Sequence, residues 1–83
     1  MVPRKREVAP IDPATLEITL KVHLKEMRER LDHAASIARA AQTCADTGNV
    51  EKGVEIALDV KPLIYEVNTF LNAASLINRV NKT

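Results

Sequence analysis

The residues whose types could do chemistry are two histidines, one cysteine and a run of acids. His23 and His33 lie ten apart and do not share a helical face, so they do not form the i, i+4 pair that binds a metal on one helix. Neither follows an acidic residue by three positions, which excludes the Glu-x-x-His pair of di-iron bundles. Cys44 comes after both histidines, in the alanine-rich stretch HAASIARAAQTCA, and reads as a small core residue rather than a nucleophile or redox thiol. A single cysteine allows no disulfide and no cysteine metal cage within one chain. Glu26, Glu29 and Asp32 alternate with Lys25, Arg28 and Arg30 as an ion-paired outer helix face, without the contrasting environments that separate a catalytic acid from a base. Gly48 and Gly53 are wrongly spaced for a phosphate loop. The sequence therefore nominates no catalytic residue, no metal ligand and no cofactor site, and a non-enzymatic protein is expected.

The elements that must position these residues are helical. The chain has 83 residues, enough for one domain, and is 46% hydrophobic but only 2% aromatic. A core of Leu, Ile, Val and Ala without large rings suits close helix packing better than a β-sandwich. Two glycines and four prolines are too few for the turns of an all-β domain. Net charge is +1, so no strong field steers nucleic acid or acidic partners. Positive charge gathers at the start: Arg4, Lys5 and Arg6, with Glu7, lie in residues 1–10, which carry prolines, no periodicity and the character of a flexible basic tail. No apolar run reaches the roughly 18 residues of a membrane span, and no apolar segment follows the basic start as a secretory signal would require. The expected location is the cytoplasm.

Asp12 and Pro13 form a helix start, cap followed by proline at the first helical position, with Ile11 and Leu16 spaced as a hydrophobic staple. From there Leu20, Leu24, Met27, Leu31, Ala34, Ala38, Ala41 and Ala45 step by four and three, a heptad seam whose alanine half lets a second helix approach closely. DTGN supplies the stop, Gly48 as the residue past the cap and Asn49 as the next N-cap, and so short a connection folds the next helix back antiparallel. The second segment holds three apolar positions per heptad: Ala57, Ile64 and Leu71; Val60, Val67 and Ala74; Ile56, Leu63, Phe70 and Ile77. That stripe is wider than one partner helix needs. Pro62 removes a backbone donor and either kinks this helix on the side away from the stripe, leaving the register intact, or breaks it, with Asp59 capping a new helix that has Pro62 in its first turn; the kink is the reading preferred. The expectation is all-α: a long antiparallel hairpin in residues 11–83, the first helix over about 13–46 and the second over about 50–80, two copies closing a four-helix bundle.

One stretch competes. LEITLKVHL, residues 16–24, alternates like a half-buried strand. As a strand it makes ITLKVHLKEMRERLDHAA, residues 18–35, similar to the strand and first helix of the ribbon-helix-helix repressors. The resemblance implies an N-terminal strand that pairs across a dimer and enters the DNA major groove, with Thr19, Lys21 and His23 contacting bases. As a helix the stretch pairs Glu17 with Lys21 and extends the leucine seam, and the helix is the reading preferred.

Function follows in two forms. The first is a protein-interaction or assembly module, an adaptor or accessory subunit acting through helix–helix association as a homodimer. Its self-association core is Leu20, Leu24, Met27, Leu31, Ile56, Val60, Leu63, Ile64, Val67, Phe70, Leu71 and Ile77. Ile18, Val22, Leu76 and Val80 lie off the stripes near the open end of the hairpin and make a second contact there, for a sister chain or another protein. Asn68, Asn72, Asn78 and Asn81 specify register, cap the frayed end or bind a partner. The alternative is a small dimeric nucleic-acid-binding regulator that uses Arg4, Lys5 and Arg6 on phosphates and, if 16–24 is a strand, Thr19, Lys21 and His23 on bases. No membrane association is expected.

Overall fold

A computed structural model describes residues 12–82, with side chains through residue 80. Three helices follow in order: α1 Pro13–Asp46, α2 Val50–Ala57 and α3 Val60–Lys82. α1 packs along both α2 and α3, so the chain is an antiparallel hairpin whose second arm is bent. Arg4, Lys5, Arg6 and the Ile11 half of the staple lie outside the described residues.

α1 begins as the sequence predicts. Asp12 has extended backbone angles, Pro13 occupies the first turn, and the Leu16 N–H donates to the Asp12 carbonyl at 3.0 Å. The Asp12 side chain makes no capping hydrogen bond, so its contribution is backbone geometry rather than a carboxylate cap. Residues 16–24 are helical throughout. This removes the strand on which the ribbon-helix-helix resemblance depends. The physical reason is local: the Asp12–Pro13 start commits the chain to helix, and Thr19 and His23 turn their side chains back onto that helix. The Thr19 hydroxyl donates to the Thr15 carbonyl at 2.9 Å, and His23 Nδ1 donates to the Thr19 carbonyl at 2.8 Å.

The turn is built from two backbone bonds. Gly48, at φ 105°, takes the left-handed conformation that glycine adopts without side-chain strain. Its N–H donates to Ala45 and the Asn49 N–H donates to Cys44, which together satisfy the last carbonyls of α1 in a Schellman motif. The Asn49 side chain then accepts from the Lys52 N–H at 3.0 Å and caps α2.

The bend lies at Leu58 and Asp59, just ahead of Pro62. Because Pro62 has no N–H, the Leu58 carbonyl loses its helical donor and accepts instead from Lys61 at 3.1 Å. The Asp59 N–H likewise reaches back only three residues, to Ile56. The chain tightens for one turn without leaving the helical hand, Pro62 stays exposed, and the apolar register continues across the bend.

The seam between the arms uses two rows on each. On the second arm these are Gly53, Val60, Val67 and Ala74 with Ile56, Leu63, Phe70 and Ile77, all buried or half-buried. On α1 one row is Leu20, Met27, Ala34 and Ala41, as predicted. The other is Leu16, His23, Arg30, Ile37 and Cys44, where the sequence reading placed Leu24, Leu31 and Ala38; Ala45, the last residue of that predicted row, stays half-buried against Gly53. The correction has a clear cause. His23 and Arg30 are polar, but their apolar parts line the seam while their polar tips reach out of it. The His23 ring meets Phe70 edge-on at 5.6 Å, and the Arg30 guanidinium lies 4.7 Å from the centre of the Phe70 ring.

Near the turn the seam narrows to glycine and alanine. A Cβ built on Gly53 would stand 2.8 Å from the Ala41 carbonyl oxygen and 3.2 Å from the Ala45 Cβ. Only glycine fits this close approach of α2 to α1 without displacement.

Candidate association surface

A two-fold relation governs which residues share a side of an antiparallel hairpin. The axis stands perpendicular to the plane of the two arms, so equivalent heptad positions emerge on the same side. With the two seam rows of each arm labelled a and d, the next row is e on one side and g on the other. The e row of α1 is Leu24, Leu31, Ala38 and Ala45; on the second arm it is Val50, Ala57, Ile64 and Leu71. Both rows therefore lie on one face.

Register sets them level. Arg30 Nε donates to Glu66 Oε1 at 2.8 Å, His23 meets Phe70, and Gly53 sits against Ala41 and Ala45. Leu24 is then beside Leu71, Leu31 beside Ile64, Ala38 beside Ala57 and Ala45 beside Val50. Four rungs span 21 residues, about 32 Å at 1.5 Å per residue. The row ends in polar residues at the open end, Glu17 on α1 and Asn78 on α3, and in the turn at the other. Leu24 is 53% exposed, Leu31 44%, Ile64 42% and Leu71 46%. These four belong to the predicted self-association core, and the hairpin alone leaves them in water. The remaining eight residues of that core line the seam within one chain.

The opposite face is polar at its middle and carries exposed aliphatics toward the open end. Arg30 is its centre: it donates to Glu26 and Glu66 and lies over Phe70. Its hydrogen bonds to Glu26 first, and to Glu66 next, raise the guanidinium pKa above its ordinary value, so the cation is permanent. Val22 and Leu76 lie on this side near the open end, with Val80, while Ile18 points outward from α1; all four are exposed. The predicted second contact thus occupies one end of the hairpin, but Ile18 is turned away from the other three.

The chemistry-bearing residues are scattered. His33 is exposed and His23 half-buried in the seam. Cys44 is half-buried on the d row of α1. Lys21 is exposed and pairs loosely with Glu17 at 3.8 Å. Among the described residues no group of His, Cys, Asp or Glu could hold a metal ion, no pocket is present, and no helix is long and apolar enough to cross a membrane. Asn68, Asn72 and Asn78 are exposed, which removes them from register within the hairpin; the side chain of Asn81 lies outside the described residues.

The expected outer ion pairs form along α1: Lys25 with Glu29 at 3.1 Å and Arg28 with Asp32 at 2.9 Å. Sequence reasoning missed the bond from Arg30 to Glu66, because two residues 36 apart are joined only by the register of the hairpin. Comparison with protein-family models, curated proteins and solved structures finds no match for this chain.

Proposed function

We propose that this chain acts by association: a helical hairpin that forms a homodimeric bundle and serves as an assembly, adaptor or accessory subunit rather than as an enzyme. One observation carries the reading. Leu24, Leu31, Ile64 and Leu71 form a continuous apolar strip on one face of a hairpin whose own seam is already closed by other residues. Single exposed aliphatics are ordinary, whereas a contiguous strip marks an interaction surface. The pattern points the same way: two apolar positions per heptad serve a two-helix seam, and three serve a helix that faces a bundle core.

The open-end residues Ile18, Val22, Leu76 and Val80 lie outside this strip; we assign Val22, Leu76 and Val80 to a second contact, with a sister chain or another protein, and Ile18 faces away from it. The single cysteine suits a reducing compartment, and the cytoplasm is the location we propose. Nucleic-acid binding is the second reading; without a strand at 16–24 it rests on Arg4, Lys5 and Arg6.

The test is sedimentation equilibrium across micromolar concentrations. A mass twice the chain's 9.2 kDa supports the reading, and a monomer throughout defeats it. Salt-sensitive binding of duplex DNA or RNA by the same sample would favour the second reading.

A further inference from the structure

Resting on that reading, we infer that the strip binds a second copy of this chain about a two-fold axis perpendicular to the helices, with the two turns at opposite ends of the bundle. The argument is one of size. The strip is graded: Leu24, Leu71, Leu31 and Ile64 fill its two rungs toward the open end, and Ala38, Ala57, Ala45 and Val50 its two rungs toward the turn. An axis crossing between the second and third rungs lays α1 on the partner's α1 in the opposite direction. Leu31 then faces the partner's Ala38 and Leu24 the partner's Ala45. On the second arm Ile64 faces the partner's Ala57, and Leu71 faces the partner's Val50. Every bulky residue meets a smaller one, the arrangement that interdigitates without voids. The same axis serves both arms, because the rungs are level. The other two-fold arrangement, with the turns together, puts leucine on leucine and alanine on alanine. It would splay the helices at one end and leave a gap at the other.

Area and charge agree with a second copy. A strip about 32 Å long and two helices wide, about 20 Å, offers roughly 600 Å² per chain. Two such faces bury about 1,200 Å², the lower limit for a specific interface. The flanking cations Lys21 and Arg28 are paired along their own helix with Glu17 and Asp32, so they do not oppose a like surface. Lys61 lies near the axis on the rim and is exposed, and its long stem lets the ammonium remain in water.

The experiment has three parts on the full chain. Sedimentation gives the dimer constant of the wild type and of Leu31→Glu, Leu31→Ala, Ala38→Leu and the double variant Leu31→Ala/Ala38→Leu. All substitutions fall at exposed positions, and circular dichroism confirms that helix content is kept. Leu31→Glu is expected to weaken dimerisation about a hundredfold, since a carboxylate is buried against alanine. Each size change alone weakens it, and the double variant recovers it, because positions 31 and 38 face each other only with the turns at opposite ends. Nitroxides on Asp46→Cys, in a Cys44→Ala background, are expected about 35 Å apart along the bundle, 23 residues at 1.5 Å each. A dimer with labels under about 20 Å, or one unmoved by Leu31→Glu, or a double variant no better than its parents, overturns this inference and leaves association standing. A wild-type chain that is monomeric at about 100 µM overturns both.

Discussion

The two glycines allow one substitution to be made for two different reasons. Gly53→Ala adds a methyl group where α2 approaches α1. In the middle of a helix that exchange is worth about 1 kcal/mol in favour of alanine. Here the new Cβ would lie 2.8 Å from the Ala41 carbonyl oxygen and 3.2 Å and 3.3 Å from the Cβ and N of Ala45. Two of the three contacts are backbone atoms of the neighbouring helix, which cannot swing aside as a side chain can. α2 must retreat, and overpacking of this kind costs about 1–3 kcal/mol. The net expectation is a loss of about 1 kcal/mol, or about 4–8 °C in melting temperature for a domain of this size. Gly48→Ala meets nothing within 4 Å but must hold φ near 105°, a conformation that costs an L-residue about 1–2 kcal/mol. Urea unfolding at one fixed protein concentration compares the two. Asn, which tolerates the left-handed region, should recover part of the loss at position 48 and none at 53. Ala45→Gly should cost less in the Gly53→Ala background than in the wild type, since it removes one of the crowding atoms. A Gly53→Ala variant more stable than the wild type would refute the close-approach argument.

Removing the Asn49 side chain as Asn49→Ala deprives the Lys52 N–H of its acceptor, and urea unfolding should show a loss of about 1 kcal/mol. Pro62→Ala returns a donor to the Leu58 carbonyl; stability should rise by about 1 kcal/mol or less, and amide exchange across residues 58–62 should slow. Unchanged exchange there would disconnect the bend from the proline. Arg30→Leu keeps an apolar stem on the seam but removes the bonds to Glu26 and Glu66 and the contact with Phe70. The urea midpoint should fall, and combining it with Phe70→Leu should cost less than the two losses added.

The helix ends were legible because they depend on neighbours in sequence. Asp12–Pro13 and Gly48–Asn49 place the boundaries within a residue, and the missing donor of Pro62 places the bend within one turn. The choice of helix over strand at 16–24 followed from the same local chemistry. The face of α1 that meets the second arm was not legible. Leu24 and Leu31 continue a heptad as well as any pair in the chain, and nothing local says that His23 and Arg30 replace them. That exchange depends on Phe70 and Glu66, which reach α1 only through the fold. The role of Gly53 was hidden for the same reason: a glycine inside a helix shows its purpose only when the opposing backbone is present.

The surplus row on the second arm was visible from sequence as a stripe too wide for one partner, and the rotation of α1 explains where its counterpart went. Had Leu24 and Leu31 closed the seam, His23 and Arg30 would stand in solvent. The surface would then carry one apolar row, on the second arm alone, too narrow for a second hairpin. Seating two amphipathic side chains inside reverses this. The His23 ring and the Arg30 guanidinium lie against Phe70, Arg30 also reaches Glu26 and Glu66 on the polar face, and the leucines are released to the other face, level with Ile64 and Leu71. Polar residues at d positions cost the hairpin some apolar burial of its own, and the same burial becomes available between chains. A chain this small holds little core by itself. Its buried residues are alanines, one valine and one glycine, with no large side chain fully enclosed among the described residues. Leu24, Leu31, Ile64 and Leu71 are each about half exposed, so covering the strip as proposed would add to the burial that the seam already supplies. On this reasoning folding and association are coupled, and the unfolding midpoint should rise with protein concentration.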